Sequence, residues 1–161
     1  MEALKIVTLG LANEIFAVDA GLVREILDPI PVTRVPNADL YVDGLINVRG
    51  KVVPLADLHV RFGLETPPPG IDTRIVVVDV ELEGEPTLVG LLADKVYEVA
   101  EVTRQSMVDP PKLGMRWRPD YIQAIGKRGE DFMAIVNLSR LLTQTDAPLE
   151  TGNGGDGAPN R

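Results

Sequence analysis

Hydrophobic residues along this chain fall in short runs separated by glycine, proline or acidic turn residues. Leu4–Leu11 and Ile15–Val18 come first, then Gly44–Val48, Lys51–Pro54, Ile75–Glu81 and Thr87–Ala93; Glu98–Val102, Tyr121–Lys127 and Asp131–Val136 complete the series. Short β-branched runs between turn signals predict strands of small sheets or barrels. Two stretches keep a helical period instead. Asp57–Phe62 opens on an acidic cap candidate, and Asn137–Leu142 opens on Asn with leucines on one face. Val23–Ile26 reads as either a short helix or an extended piece. Pro54 lacks an amide donor and belongs at a strand start, an edge or a bulge. The pattern predicts an all-β fold with short helices.

Sliding the chain on itself exposes a repeat. At an offset of 73, Ala20, Val23, Glu25 and Ile26 fall on Ala93, Val96, Glu98 and Val99. At an offset of 80, Tyr41-Val42 falls on Tyr121-Ile122, Leu45 on Ile125 and Asp57-Leu58 on Asn137-Leu138. The change of offset puts seven extra residues in the second copy's loop, around Met107–Pro119. Residues 1–150 therefore read as one unit of two interleaved halves, about 15–66 and 87–144, with the N-terminal strand exchanged between them. Halves this small have thin cores, and packing them together leaves a groove between them. Residues 151–161, rich in Gly, Asn, Asp and Pro, are expected to be disordered.

Composition narrows the chemistry. The 161 residues include no Cys and one His, with Lys+Arg 16 against Asp+Glu 24 for a net charge of −8. That excludes thiol nucleophiles, disulfides and multi-His metal sites, and disfavours nucleic acid or anionic membrane as partners. Aromatics are 4% of the chain, too few for base-stacking platforms. No apolar run approaches the roughly 18–20 residues of a membrane helix. The first residues read as a strand and not a signal peptide.

Few motifs remain. Gly152–Gly157 spells G-x-G-x-x-G, but in a terminus without the strand and helix a dinucleotide site needs. The two serines, Ser106 and Ser139, lie outside any nucleophile elbow. Asn137-Leu138-Ser139 spells a glycosylation sequon and reads better as a helix start. His59 reads as an exposed or half-buried helix residue, and Glu81–Glu85 as a solvated hairpin tip. Gly44–Pro54 reads as a hairpin turning at Arg49-Gly50, with Gly50 at positive φ. Its Asn47 and Arg49 align with Lys127 and Gly129, so they appear peculiar to the first copy and become candidates for binding.

Several of these segments together resemble one family. Val23-Arg24-Glu25-Ile26-Leu27, Val32-Thr33-Arg34-Val35-Pro36, Tyr41–Gly50, Val53-Pro54-Leu55-Ala56-Asp57-Leu58 and Gly90–Asp94 resemble the CheW-type chemotaxis coupling proteins, over about Leu4 to Gln144. The resemblance implies two SH3-like five-stranded β-barrels in pseudo-repeat, packed around a groove. It implies a non-enzymatic cytoplasmic adaptor without cofactor or metal, recruited to membrane-associated receptor arrays. Its partners would be chemoreceptor cytoplasmic tips and the regulatory domain of a CheA-type histidine kinase, with self-association in rings possible. By position in the family pattern, Val7, Ala20, Val23, Ile26, Val96 and Val99 would line the receptor groove, with Asn47 and Arg49 holding polar groups. An ordinary core role competes for each of the six apolar residues. Val32, Thr33, Arg34, Tyr41 and Asp43 would meet the kinase. The competing readings are an adaptor of a non-flagellar chemosensory pathway and a small-molecule-binding β-barrel.

Overall fold

The computed structural model describes residues 3–36, 38, 41–109 and 119–143. Among the described residues ten strands run in chain order: β1 Ala3–Leu11, β2 Glu14–Asp19, β3 Val23–Leu27, β4 Val42–Val48, β5 Lys51–Ala56, β6 Arg74–Leu82, β7 Glu85–Ala93, β8 Lys95–Thr103, β9 Ile122–Arg128 and β10 Asp131–Val136. Helix α1 is Leu58–Arg61 and α2 is Leu138–Thr143. Val23–Ile26 resolves as a strand entered through a 3₁₀ turn at Ala20–Leu22, capped by the Asp19 carboxylate on the Gly21 amide. The predicted tail and the Gly152–Gly157 motif lie outside the described residues, as does most of the Met107–Pro119 loop.

Two five-stranded sheets form, ordered β8-β1-β2-β10-β9 and β3-β6-β7-β5-β4. We call them sheet A and sheet B. Offsets of 73 and 80 carry β3, β4 and β5 onto β8, β9 and β10, so the two orders are the same order. Each sheet is closed by one isolated bridge: Thr33 pairs with Leu45 in B, and Val108 with Ile125 in A. Leu45 and Ile125 are the same repeat position. Both copies also use the opening tyrosine alike, since the Asp57 amide donates to the Tyr41 carbonyl at 2.7 Å and the Asn137 amide to the Tyr121 carbonyl at 2.8 Å. Asn137 then starts α2, its side-chain oxygen accepting from the Arg140 amide.

The exchange goes further than one strand. Hairpin β1–β2 sits in sheet A beside β8–β10, and hairpin β6–β7 sits in sheet B beside β3–β5. The expected halves, 15–66 and 87–144, therefore cut across both sheets. Residues 15–19 belong with the second set of strands and residues 85–93 with the first. Parallel pairs join each visiting hairpin to its host, Phe16 opposite Ala134 and Gly90 opposite Leu55. Pro54 is accommodated because Leu45 across from it spends its N–H and C=O on Thr33. β4 therefore asks no donor of Pro54.

The core has three parts, and the largest lies between the sheets. Among the described residues twenty-two buried side chains form the shared cluster, against seven inside sheet A and six inside sheet B. Alternation sorts them: Phe16 and Val18 face the shared core while Ala17 faces the inside of sheet A. Phe16 stacks on Phe62 at 4.5 Å, and Phe62 meets Tyr121 edge-on at 6.2 Å. Burying each such side chain stabilises by about 1.5–3 kcal/mol, so the joint holds more of the fold together than either barrel interior.

Candidate functional site

The edge strands β3 and β8 carry most of the apolar residues singled out in the sequence. Core-facing residues of β1 and β6 each have an edge-strand partner: Leu9 opposite Val96, Val7 opposite Val99, Val78 opposite Val23 and Val76 opposite Ile26. Residues opposite one another in an antiparallel pair point to the same face. Both edge strands thus continue the faces that enclose the shared core out into solvent. Each edge strand adds an apolar strip at the margin of the shared core, one from each sheet.

Ala20, Val23 and Val96 are half-buried against that core. Ile26 and Val99 stand further out, 43% and 62% exposed. The fold packs three of the six apolar residues singled out in the sequence, Ala20, Val23 and Val96, against one cluster, and leaves Ile26 and Val99 at the surface of the two edge strands. Val7 takes the competing role: it is 3% exposed and belongs to the shared core. It lay beyond the reach of the pattern because β1 is covered on both faces along most of its length.

Behind Ile26 lies the Arg49 hairpin. Arg49 and Gly50 form its tip with φ of 52° and 85°, the left-handed pair a two-residue turn requires. Asn47 accepts from the Gly50 amide at 2.8 Å, so its side chain holds the turn. Arg49 reaches back to β3 and donates through Nε and Nη2 to the two oxygens of Glu25 at 3.1 and 2.9 Å. The hydrogen bond from Arg49, helped by its charge, outweighs desolvation and holds the Glu25 carboxyl below its ordinary value of 4.5. Sequence comparison of the copies suggested that Arg49 had no counterpart. In the fold, Arg128 approaches Glu98, the repeat of Glu25, at 3.7 Å. The cation at the hairpin is thus repeated with a shift of one residue, and the missing signal was Glu25 itself, already present in the repeat.

The residues expected at a kinase contact divide in two. Val32, Thr33, Arg34 and Asp43 gather where Thr33 closes sheet B, with Arg34 and Asp43 3.6 Å apart. Beside them opens a cleft of about 560 Å³ lined by Ile30, Pro31, Leu45 and Val52. Tyr41 is a correction. It is 7% exposed, donates its hydroxyl to the Leu142 carbonyl at 3.0 Å and has the Arg61 guanidinium 4.2 Å from its ring centre. It belongs to the joint between the sheets.

The sequence reading of His59 fails as well. It is fully buried, with Nδ1 2.5 Å from Asp57 and Nε2 2.9 Å from Asp94. Among the described residues no three His, Asp or Glu side chains converge to hold a metal ion. No helix among them is long and apolar enough to cross a membrane.

The CheW-like domain model matches residues 5–146. The chain belongs to the CheW family. It is 29% identical over 144 residues to chemotaxis protein CheW of Klebsiella aerogenes, covering 89% of this chain and 83% of that one. To chemotaxis protein CheW of Treponema pallidum it is 25% identical over 145 residues, covering 90% and 85%. The crystal structure of the scaffolding protein TtCheW from Thermoanaerobacter tengcongensis superposes with a TM-score of 0.78, at 30% identity and 88% coverage of each chain. As a CheW-family member this protein is a chemotaxis coupling adaptor, built on the two-barrel β fold of that family.

Proposed function

We propose that this chain joins the cytoplasmic tips of chemoreceptors to the regulatory domain of a CheA-type histidine kinase, by contact alone and without catalysis. The apolar strips of the edge strands β3 and β8, which would form a trough for a partner helix, carry the reading. A helical tip presents apolar anchors at i, i+3 and i+4, and a groove with aliphatic walls and polar ends accepts them. Ala20, Val23 and Ile26 supply one wall, and Val96 and Val99 the other. Arg49, held by Glu25 beside Ile26, offers a charged rim, and Asn47 keeps its turn in shape. The closing edge of sheet B, with Val32, Thr33, Arg34 and Asp43 around an apolar cleft, suits the end of another barrel. Two separate surfaces on one small protein are what an adaptor needs, and a second copy docked at a barrel end would extend the contacts into rings. The work is cytoplasmic, beneath membrane-associated receptor arrays.

Reconstitution of the purified chain with a receptor tip and the kinase regulatory domain tests this. A ternary complex by size-exclusion chromatography is expected. Absence of any complex with either component refutes the reading.

A further inference from the structure

The buried His59 cluster is not used by either docking surface, and its geometry dictates a charge state. Each ring nitrogen faces a carboxylate oxygen, Nδ1 toward Asp57 at 2.5 Å and Nε2 toward Asp94 at 2.9 Å. A neutral imidazole has one N–H and can satisfy only one of the two; the imidazolium donates to both. Asp57 is further held from its own element and the following connector, accepting from the His59 amide at 3.0 Å and the Thr66 hydroxyl at 2.6 Å. Asp94 comes from the turn between β7 and β8, and its Oδ2 also accepts from the Ala12 amide at 2.6 Å. Ala12 and Asn13, the β1–β2 turn, have φ of 51° and 72°. An alanine at positive φ is uncommon and needs an external hold.

The chain of contacts Thr66–Asp57–His59–Asp94–Ala12 therefore runs from sheet B, through α1, to the tip of the hairpin that visits sheet A. Among the described residues, the charged groups facing His59 are Asp57 and Asp94. Glu65 and Lys95 line a cleft of about 570 Å³ on the far side of Asp94, with Ala12, Asn13 and Tyr97. Of the two acids Asp94 is the more exposed, 25% against 11% for the side chain, so it is the one that can turn to water.

We propose that His59 is a pH-operated clasp between the two sheets: as imidazolium it holds Asp57 and Asp94, and on losing its proton it releases Asp94 and with it the β1–β2 turn. Burial pushes the imidazole down, but hydrogen bonds and charge from Asp57 and Asp94 outweigh it and hold His59 above 6.5. Release thus belongs to the alkaline side of that value. The clasp stands independently of the receptor and kinase reading, since it uses none of those surfaces.

The chain has one His, so its imidazole signals are unambiguous. Nitrogen-15 NMR of the full chain from about pH 5 to about pH 9 is expected to show one midpoint above 6.5. The Ala12 amide should follow the same midpoint, with hydrogen exchange about tenfold faster on the alkaline side after correction for intrinsic rates. Asp94→Asn should bring the midpoint down toward 6.5 and abolish the Ala12 response. A wild-type midpoint at or below 6.5, or an Ala12 amide indifferent to the titration, overturns the proposal. The wild-type titration decides even where the variant fails to fold.

Discussion

Arg49 and Glu25 meet across the mouth of the sheet B barrel, two guanidinium nitrogens on two carboxylate oxygens at 3.1 and 2.9 Å. The arginine belongs to a hairpin tip and the acid to an edge strand, so the pair fixes the position of one against the other. Its side chain is 78% exposed, and an ion pair so open to solvent adds little to stability. Orientation is what it provides. Arg49→Ala should leave the thermal midpoint unchanged and weaken receptor-tip binding about tenfold. Wild-type binding and kinase stimulation by that variant would count against the site.

The trough makes a separate prediction. Ile26→Asp and Val99→Asp place a charge on each wall at positions already in contact with water. Circular dichroism should show intact sheets in both. Calorimetric titration with a receptor tip should show the loss of one aliphatic anchor apiece, about 1.5–3 kcal/mol. Equal losses from the two variants are expected, because the walls are repeat equivalents.

Unequal cores predict unequal costs. Phe16→Ala empties space beside Phe62 in the shared cluster, where it should cost about 3–5 kcal/mol. Val53→Ala, inside sheet B, removes less and should cost about 1–2 kcal/mol. Urea unfolding monitored by tyrosine and tryptophan fluorescence gives both numbers, and each variant should keep a single transition.

Gly44 sits where β4 passes under the closing bridge. A Cβ there would lie 2.4 Å from the Thr33 carbonyl oxygen and 2.6 Å from a Val32 methyl. Gly44→Ala must push the bridge apart and should cost about 1–3 kcal/mol in urea. Gly129→Ala meets no atom within 4 Å; only its φ of +62° opposes it, so the penalty there should be smaller.

Stability should also follow pH with a definite sign. Burial raises the Asp57 carboxyl, but hydrogen bonds from His59 and Thr66 outweigh it and hold the group below 3.8. A lowered carboxylate stabilises above its unfolded value, and that contribution disappears as pH falls through the folded value. Acid unfolding is therefore expected to steepen below pH 3.8, and Asp57→Asn should flatten that limb in urea titrations.

Much of this was readable in the chain. The strands follow runs of alternating apolar residues, and the repeat at offset 80 locates Tyr41 and Tyr121 in matching positions that the fold uses identically. What the pattern could not supply is which strands pair. Similarity between copies says that β2 resembles β7, and nothing about which sheet either joins. Alternation is also silent where both faces of a strand are covered, so it could not decide between the groove and core roles of Val7. Tyr41 and His59 illustrate a related limit, since their partners Leu142 and Asp94 are remote in sequence. Arg49 looked unmatched because the copies were compared position by position, whereas a long side chain one residue away reaches the same acid.

Because each sheet borrows a hairpin from the other half, the protein has no place where it divides. A protease nicking the Pro67–Gly70 connector would leave two fragments, each holding three strands of one sheet and two of the other. Neither could fold without its mate, so the nicked chain should stay associated and elute at its original size. The same weave ties the edge strand β3 to the closing bridge of sheet B through continuous hydrogen-bonded backbone. Strain applied at either place has no hinge in which to dissipate.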